Sequence, residues 1–396
     1  MKLTYKHTIY ACFTGYIVQA IINNFAPLLF LTFQSEYGVP LEKITLLITF
    51  NFVVQLGIDL ASVTFVDRLG YRKCMVAAHI FGALGLMCMA VLPPLFSDPF
   101  WGLLIAVLLY AMGGGLLEVL VSPVVEACPT DNKEKAMGLL HSFYCWGQVG
   151  VVLLSTLFFS VFGIARWRIL AVVWALVPLA NSVIFTRVPI TQLNAEGGGW
   201  SLGTLLKNKL FWALFVMMLC AGASELAVSQ WASTLAEKGL GVSKTIGDLA
   251  GPMMFAVLMG TARAIYGKCA DRIDTDKFML GSALLCAAAY LCISLVPNPV
   301  FGFLGCGLCG FSVGIMWPGT FSRASAALPK GGTAMFALLA LAGDLGCSGG
   351  PTFAGFIASA AGGDLKAGLL AAVLFPLLMA AMLLLLHFSV KKSQSR

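Results

Sequence analysis

Long apolar runs recur along this chain, and they limit what it can fold into more than any other feature. About 20 residues at 1.5 Å per residue cross the ~30 Å hydrocarbon layer of a bilayer as an α-helix. The runs are of that length, rather than the ~10-residue alternating segments of an outer-membrane barrel. Twelve spans are predicted, at residues 8–33, 44–66, 74–95, 101–126, 136–163, 168–186, 209–235, 246–270, 278–297, 300–326, 333–361 and 367–390. The pattern predicts an all-α membrane protein with 12 transmembrane helices.

The composition excludes several other classes of protein. Only 11% of the residues are charged and 59% are hydrophobic, whereas soluble domains carry about 25% charged residues. The 12 cysteines lie within or at the ends of the apolar runs, so we interpret them as packing residues and expect no metal site. The motif Gly305–Gly310 matches a dinucleotide fingerprint, but it lies inside an apolar run with no strand before it. We expect no catalytic residues and no cofactor, and a membrane enzyme or receptor is the least favoured class.

The distribution of lysine and arginine predicts the topology. With the N-terminus inside, 18 basic residues fall in cytoplasmic segments and 6 in outer loops, and Arg263 is intramembrane. Such an excess marks the cytoplasmic side. The net charge of +7 is therefore interpreted as a topology signal, and we expect no nucleic-acid partner. The prediction is a multi-pass protein of the cytoplasmic (inner) membrane, embedded in the lipid bilayer with both termini in the cytoplasm.

The two halves of the chain resemble each other. The segment 67–73 between spans 2 and 3 has a counterpart at 267–277 between spans 8 and 9. The sole long interruption, 187–208, separates six spans from six. We therefore predict an N-terminal six-helix bundle at 1–186, a cytoplasmic linker at 187–208 and a C-terminal six-helix bundle at 209–396. Two parallel six-helix repeats are the plan of a transporter built on the major facilitator fold.

Particular motifs carry a resemblance to a known family. The segment Asp67-Arg68-Leu69-Gly70-Tyr71-Arg72-Lys73 resembles the short-loop signature of the major facilitator superfamily. Three further pieces resemble its fucose/glucose symporter family: Asn23-Asn24, Glu118 between a glycine run and Ser122-Pro123, and Ala223-Ser224-Glu225 with Gln230-Trp231. The sequence departs from that family at Pro27, where an acid is often found, so its pair of acids in helices 1 and 4 is incomplete here.

The resemblance implies a function. It implies a secondary active transporter that moves a small polar solute by alternating access, with a sugar as the expected solute and H⁺ or Na⁺ as the coupling ion. We expect the transporter to be a monomer. The alternative within transport is a proton-coupled multidrug efflux antiporter, which buried acids would serve equally well. Amide-rich helices 1, 5 and 7 favour the hydroxylated solute.

Charged residues inside the spans are the first functional candidates, because a charge within a bilayer is expensive and needs a partner or a task. We predict ion coupling by Glu118, Asp59, Asp344 and Arg263. The repeat puts Asp59 at the place of Arg263, which favours an ion pair between them. In the superfamily fold Asp59 instead lies nearer Asp344, and two such carboxylates would share a proton or bind a cation. The alternative is that each group only hydrogen-bonds to nearby backbone.

Amide and aromatic side chains are the second group of candidates. Amides both donate to and accept from hydroxyl groups, and a ring can cover the apolar face of a sugar. The predicted solute-binding residues are Gln19, Asn23, Asn24, His141, Tyr144, Gln148, Glu225, Gln230 and Trp231. Some alternatives stay open at this point. His141 could be a packing residue, Trp231 an anchor at the membrane interface, and Glu225 with Asn24 a cation site.

The charged short loops are the third group. Asp67, Arg68, Arg72, Asp271 and Arg272 are predicted to hold the cytoplasmic side shut in the outward-facing state. Charge pairs and contacts with helix ends would supply the stabilisation. The alternative, that these residues only obey the positive-inside rule, explains the arginines but not the aspartates.

Overall fold

A computed structural model of the chain describes residues 3–129, 133–190, 202–269, 274–328 and 330–394. Within these residues all regular secondary structure is helical, as the length of the apolar runs predicts. The chain divides into two compact units, Met1–Ala195 and Glu196–Arg396, here called the N-terminal and C-terminal units. The predicted linker includes residues 191–201, which lie outside the described residues, so the predicted domain boundaries stay a prediction.

The N-terminal unit is a bundle of helices whose first span is interrupted. Its helices are α1 (Tyr5–Asn24), α2 (Phe30–Tyr37), α3 (Leu41–Leu69), α4 (Tyr71–Val91), α5 (Pro99–Ala127), α6 (Lys133–Phe162) and α7 (Trp167–Arg187). A 3₁₀ turn, Ala26–Leu29, connects α1 to α2. Pro27 lies in that turn and has no backbone N–H to donate, so a continuous α-helix ends before it.

The C-terminal unit contains more interrupted helices. They are α8 (Leu202–Leu206), α9 (Lys209–Thr234), α10 (Lys244–Asp248), α11 (Met254–Cys269), α12 (Thr275–Leu295), α13 (Pro299–Val313), α14 (Met316–Ala327), α15 (Gly332–Ala360), α16 (Leu365–Ala372) and α17 (Leu374–Gln394). Two π-helical segments, Leu235–Gly239 and Leu249–Met253, follow α9 and α10. Pro318 lies in the first turn of α14, where a backbone N–H would have no hydrogen-bond partner within the helix, so the proline is tolerated there.

The predicted spans all correspond to helices. Among the described residues, 11 helical segments are long and apolar enough to cross a membrane. The remaining predicted span, 333–361, is the 29-residue helix α15. Its length suffices for a crossing, but its glycines and Asp344 lower its hydropathy. The number of spans therefore agrees with the predicted 12-helix fold.

The helices pack in the same pattern in both units. In the N-terminal unit α4 packs against α5 and α7, α3 packs against α5, and α1 packs against α5, α6 and α7. In the C-terminal unit α12 packs against α13 and α17, α11 packs against α13, and α9 packs against α14, α15 and α17. Each pair in one unit has its counterpart in the other. The packing is thus that of two six-helix repeats.

Helices α9 and α15 approach closely because glycines line their contact. A Cβ atom on Gly350 would lie 2.5 Å from the carbonyl oxygen of Ala223, and one on Gly346 would overlap the carbonyl oxygen of Leu219. Small residues let helix backbones approach where lipid provides no hydrophobic driving force between helices. The same helices are joined by the indole N–H of Trp231, which donates to the carbonyl oxygen of Pro351 over 3.0 Å.

We expect Gly346→Ala to destabilise the protein by roughly 1–3 kcal/mol, because its methyl group would force the backbones of α9 and α15 apart. Gly349→Ala is the matched control, since a Cβ atom there meets nothing within 4 Å. Thermal unfolding in detergent, followed by size exclusion, measures both variants. Equal melting temperatures for the two variants would contradict the close packing.

Candidate functional site

Four buried amides of α1 and α3 form one hydrogen-bonded cluster in the N-terminal unit. Gln19 Nε2 donates to Gln55 Oε1 over 2.9 Å. Gln55 Nε2 donates to Asn23 Oδ1 over 2.9 Å and to Asn51 Oδ1 over 3.0 Å. Asn51 Nδ2 also donates to Asn23 Oδ1, over 3.1 Å. These residues, called the amide cluster below, are 3–6% exposed. Their amide groups bond to one another where water has little access, while Gln19 Oε1 has no hydrogen-bond partner among the described residues.

Glu118 adjoins the amide cluster from α5. Its Oε2 lies 3.4 Å from Gln19 Nε2, which donates to it. The glycine run of α5 permits this approach, because a Cβ atom on Gly114 would lie 3.0 Å from Gln55 Oε1 and 3.1 Å from Gln19 Oε1. These glycines let neighbouring helices approach α5 beside Glu118. The neighbouring helices are α3 and α1.

A second polar row extends from Glu118 along α5. Ser122 lies one helical turn further on and shares the face of Glu118. Its hydroxyl is 3.0 Å from the hydroxyl of Tyr16, and the rings of Tyr16 and His141 are 5.4 Å apart. We call Glu118, Ser122, Tyr16 and His141 the polar row. Sequence patterns single out Glu118, Ser122 and His141 but not Tyr16, which only the packing of α1 against α5 and α6 brings between them.

The other predicted solute-binding residues of this unit lie in different surroundings. Tyr144 and Gln148 share α6 with His141; Tyr144 is half-buried and Gln148 is buried. Asn24 is also buried, but its Nδ2 donates to the carbonyl oxygen of Ala20 on its own helix over 2.9 Å. Asn24 is therefore bonded to α1, whereas its neighbour Asn23 takes part in the amide cluster.

The C-terminal unit contains a buried ion pair between α9 and α11. Arg263 Nη2 lies 3.2 Å from Glu225 Oε2. The Glu225 side chain is 11% exposed and that of Arg263 is 23% exposed. Two predicted site residues, one assigned to the solute and one to the ion, thus lie together. The sequence did not predict this pairing.

The rest of this part of α9 is closely packed. The Tyr290 hydroxyl of α12 donates to the carbonyl oxygen of Ser224 over 2.7 Å. Trp231 is fully buried, and Gln230 beside it is 2% exposed. An anchor at the membrane interface would need an exposed ring, so the interface alternative for Trp231 is wrong.

The two remaining intramembrane acids belong to different units. Asp59 lies on α3, one turn beyond Gln55, and is half-buried. Asp344 is buried on α15. The predicted pairing of Asp59 with Arg263 or with Asp344 joins residues of different units and stays a prediction.

Among the predicted gating residues whose side chains the structure describes, Arg72 forms two hydrogen bonds. Its guanidinium donates to the carbonyl oxygens of Phe185 and Val188 over 2.8 Å each, at the end of α7. It also lines a cavity of about 290 Å³ with Leu69, Gly70, Tyr71, Lys73 and Ile190. Arg68 is exposed in the last turn of α3, the helix that also contains Asp67. Asp271 and Arg272 lie outside the described residues.

Sequence reasoning missed three polar groups. Asn51, Gln55 and Asp59 follow one another at intervals of one turn on α3, and that spacing could have revealed a polar helix face. His79 is fully buried; its Nδ1 is 2.7 Å from the carbonyl oxygen of Met75, and its Nε2 accepts from Asn181 Nδ2 over 2.7 Å. This neutral histidine joins α4 to α7.

The third missed group is an ionic cluster near the start of α10. Lys244 Nζ lies 3.1 Å from Asp248 Oδ2 and 3.3 Å from Glu237 Oε1. The hydroxyl of Ser233 donates to Asp248 Oδ1 over 2.5 Å. Two carboxylates share one ammonium group here between two π-helical segments. Lys244 and Asp248 are one helical turn apart on α10, a spacing that could have indicated their pairing, whereas the contacts of Glu237 and Ser233 depend on the fold.

Comparisons with known proteins agree with the helical architecture. The family model described as Major Facilitator Superfamily matches residues 11–351. No curated protein sequence matches the chain significantly. Two similar solved structures are of a bacterial homologue of the human lysosomal transporter Spinster. The inward-facing, occupied form has a TM-score of 0.76 and 14% identity, with 97% of each chain covered. The inward-facing, unoccupied form has a TM-score of 0.78 and 15% identity, with 96% of each chain covered.

A further similar structure is that of a variant of the Escherichia coli fucose:proton symporter. Its TM-score is 0.65 and its identity 16%, over 96% of this chain and 98% of that chain. At such identities these likenesses concern the fold.

We expect Asn23→Leu to destabilise the protein by roughly 1–3 kcal/mol, because two buried amide donors lose their acceptor. Asn24→Leu is the matched control, since both asparagines are 6% exposed and Asn24 donates within its own helix. Thermal unfolding in detergent compares the variants. A melting temperature for Asn23→Leu at or above that of Asn24→Leu would show that the amide cluster does not stabilise the unit.

Proposed function

Because the chain belongs to the major facilitator superfamily, we propose that it is a secondary active transporter that moves a small polar solute by alternating access. The superfamily consists of transporters and not enzymes. The proposed solute is a sugar and the proposed coupling ion is H⁺. The proposed setting is the cytoplasmic membrane, with a single chain as the working unit and both termini in the cytoplasm.

The amide cluster beside Glu118 is the observation that carries this proposal. Amide groups suit the hydroxyl groups of a sugar, since each can donate and accept. A site for apolar drugs would be lined mainly by hydrophobic and aromatic side chains. The concentration of amides on α1 and α3 therefore supports the sugar over the efflux alternative.

The surroundings of Glu118 support a proton rather than a sodium ion. Gln19 presents an N–H donor to the carboxylate, and an N–H group is no ligand for a hard cation, which prefers several oxygen atoms. The hydroxyl groups of Ser122 and Tyr16 can pass a proton along hydrogen bonds. The fucose:proton symporter, similar in fold, is itself named for that ion.

The polar row begins at the half-buried side chain of Glu118 and ends at the exposed side chain of His141. Glu118 lies nine residues (127 − 118) before the end of α5 at Ala127, or about 14 Å along the helix. His141 lies eight residues (141 − 133) from the start of α6 at Lys133, or about 12 Å. Both of these helix ends are the ones predicted to be cytoplasmic. We propose that the row carries the proton between Glu118 and the cytoplasmic side.

The proposed solute contacts follow the hydrogen bonds of each unit. In the N-terminal unit Gln19, Asn23, Tyr144 and Gln148 bind hydroxyl groups. In the C-terminal unit Glu225 and Gln230 do so, while Trp231 determines the spacing of α9 and α15 through its bond to Pro351. Asn24 is the weakest of the proposed contacts, because its amide already bonds to Ala20.

We expect Glu118→Gln to abolish solute accumulation driven by a pH gradient, because the amide keeps the shape but cannot take up the proton. The accumulation ratio in proteoliposomes should fall to about one, the value without coupling, while solute exchange at equal pH continues. Glu42→Gln, at an exposed acid in the first turn of α3, is the control. Undiminished accumulation by Glu118→Gln would refute the coupling role. Expulsion of apolar dyes in place of sugar uptake would favour the efflux antiporter.

We expect Tyr16→Phe to slow pH-driven uptake about fivefold, because it removes one hydroxyl of the polar row, and a hydrogen bond is worth about 1 kcal/mol. Tyr10→Phe is the matched control on the same helix, since Tyr10 is 63% exposed. Initial uptake rates and exchange rates are measured on the same proteoliposomes. An equal effect of both substitutions would remove Tyr16 from the proposed route.

A further inference from the structure

The ion pair of the C-terminal unit contains one group that a proton can neutralise and one that it cannot. Glu225 loses its charge when it binds a proton, whereas the guanidinium of Arg263 stays charged at every accessible pH. A buried ion pair is stable only while both charges are present, because removing one leaves the other uncompensated. Protonation of Glu225 therefore leaves the charge of Arg263 uncompensated unless another anion binds there.

The accessibility of the two side chains shows where such an anion would arrive. The Arg263 side chain is 23% exposed, about twice the 11% of Glu225. The Arg263 side chain is therefore the more accessible member of the pair. A guanidinium also matches a carboxylate closely, since it can donate two parallel hydrogen bonds to the two oxygens.

Other ionisable groups lie on the helices that pack against α9. Tyr290 of α12 donates to Ser224, and Cys309 of α13 lies 3.9 Å from the same carbonyl oxygen. Asp344 and Cys347 lie on α15, and Lys366 lies on α16; both helices pack against α9. Lys244 of α10 pairs with Glu237 and Asp248, and Arg323 of α14 pairs with Asp276. Arg263 is thus the cation that the structure places against Glu225.

We propose that Arg263 binds the carboxylate of an acidic solute and that Glu225 takes up the proton that is transported with it. This inference rests on the proposed function, which supplies the hydroxylated solute, and it narrows the class to sugar acids. The charges balance: the solute's carboxylate replaces the Glu225 carboxylate at Arg263, while one proton neutralises Glu225. The net charge of the site is the same when it is empty and when it is loaded.

Galacturonate and galactose form a matched pair of probes, because they differ only at the carbon that carries the carboxylate. A carboxyl of this kind titrates near pH 3–4, so galacturonate is an anion at both about pH 5.5 and about pH 7.5. Binding to the full-length protein in nanodiscs is measured by calorimetry at both values. We expect galacturonate to bind about tenfold more tightly at the lower pH, as Glu225 becomes protonated, with no such change for galactose.

Two variants separate the roles of the pair. Glu225→Gln should bind galacturonate equally well at both pH values, because its side chain is always neutral. The double variant Glu225→Gln, Arg263→Gln leaves no lone buried charge, so it should fold, and it should lose galacturonate binding by tenfold or more. Arg187→Gln, at an exposed arginine in the last turn of α7, is the control.

The outcomes distinguish this inference from the proposed function. The sugar-acid class would be overturned by any of three results. The two probes could bind with equal affinity, the double variant could bind galacturonate as the unmodified protein does, or galacturonate could fail to bind at all. Uptake of galactose driven by a pH gradient would then leave the proposed function standing. Absence of gradient-driven uptake of any solute in proteoliposomes would overturn the proposed function itself.

Discussion

Every polar side chain inside these apolar helices needs a hydrogen-bond or charge partner, because neither lipid nor apolar side chains can supply one. Short hydroxyl side chains can bond to a carbonyl oxygen of their own helix, as Thr45 does to Leu41, whereas several longer side chains bond to another helix. Gln19 bonds to Gln55 across α1 and α3, His79 to Asn181 across α4 and α7, and Glu225 to Arg263 across α9 and α11. These bonds determine how neighbouring helices are rotated and how far each is shifted along its neighbour, and apolar contacts alone would tolerate several arrangements.

Close backbone approach is the second requirement, and it places the polar groups within reach of one another. Gly114 brings α5 against the amide cluster, and Gly346 brings α15 against α9. Both helices belong to the set whose packing pattern recurs in the two units. The repeat therefore preserves the arrangement of helices while the side chains differ. The N-terminal unit contains a cluster of neutral amides, and the C-terminal unit contains an ion pair.

Hydropathy predicted the helices well, because the requirement to cross a bilayer acts on each segment separately. The breaks near Pro27 and Pro318 also follow from local chemistry. The contacts between side chains were harder to predict, because they depend on which helices are neighbours. Glu225 and Arg263 are far apart in the sequence, and Tyr16 carries no charge that would mark it as a candidate. Asn51 and Gln55 were missed although their spacing on α3 revealed a polar face.

The amide cluster has a direction. Gln19 donates to Gln55, and Gln55 donates to Asn51 and to Asn23 Oδ1. Asn51 also donates to Asn23 Oδ1. Turning one amide would set oxygen against oxygen at the next, so all of the amides must turn together. A proton on Glu118 adds an O–H donor to the carboxyl group, and the oxygen of a turned Gln19 amide would accept a hydrogen bond from it. The hydrogen bonds of the cluster would thus couple the protonation of Glu118 to whether Asn23 presents an acceptor or a donor.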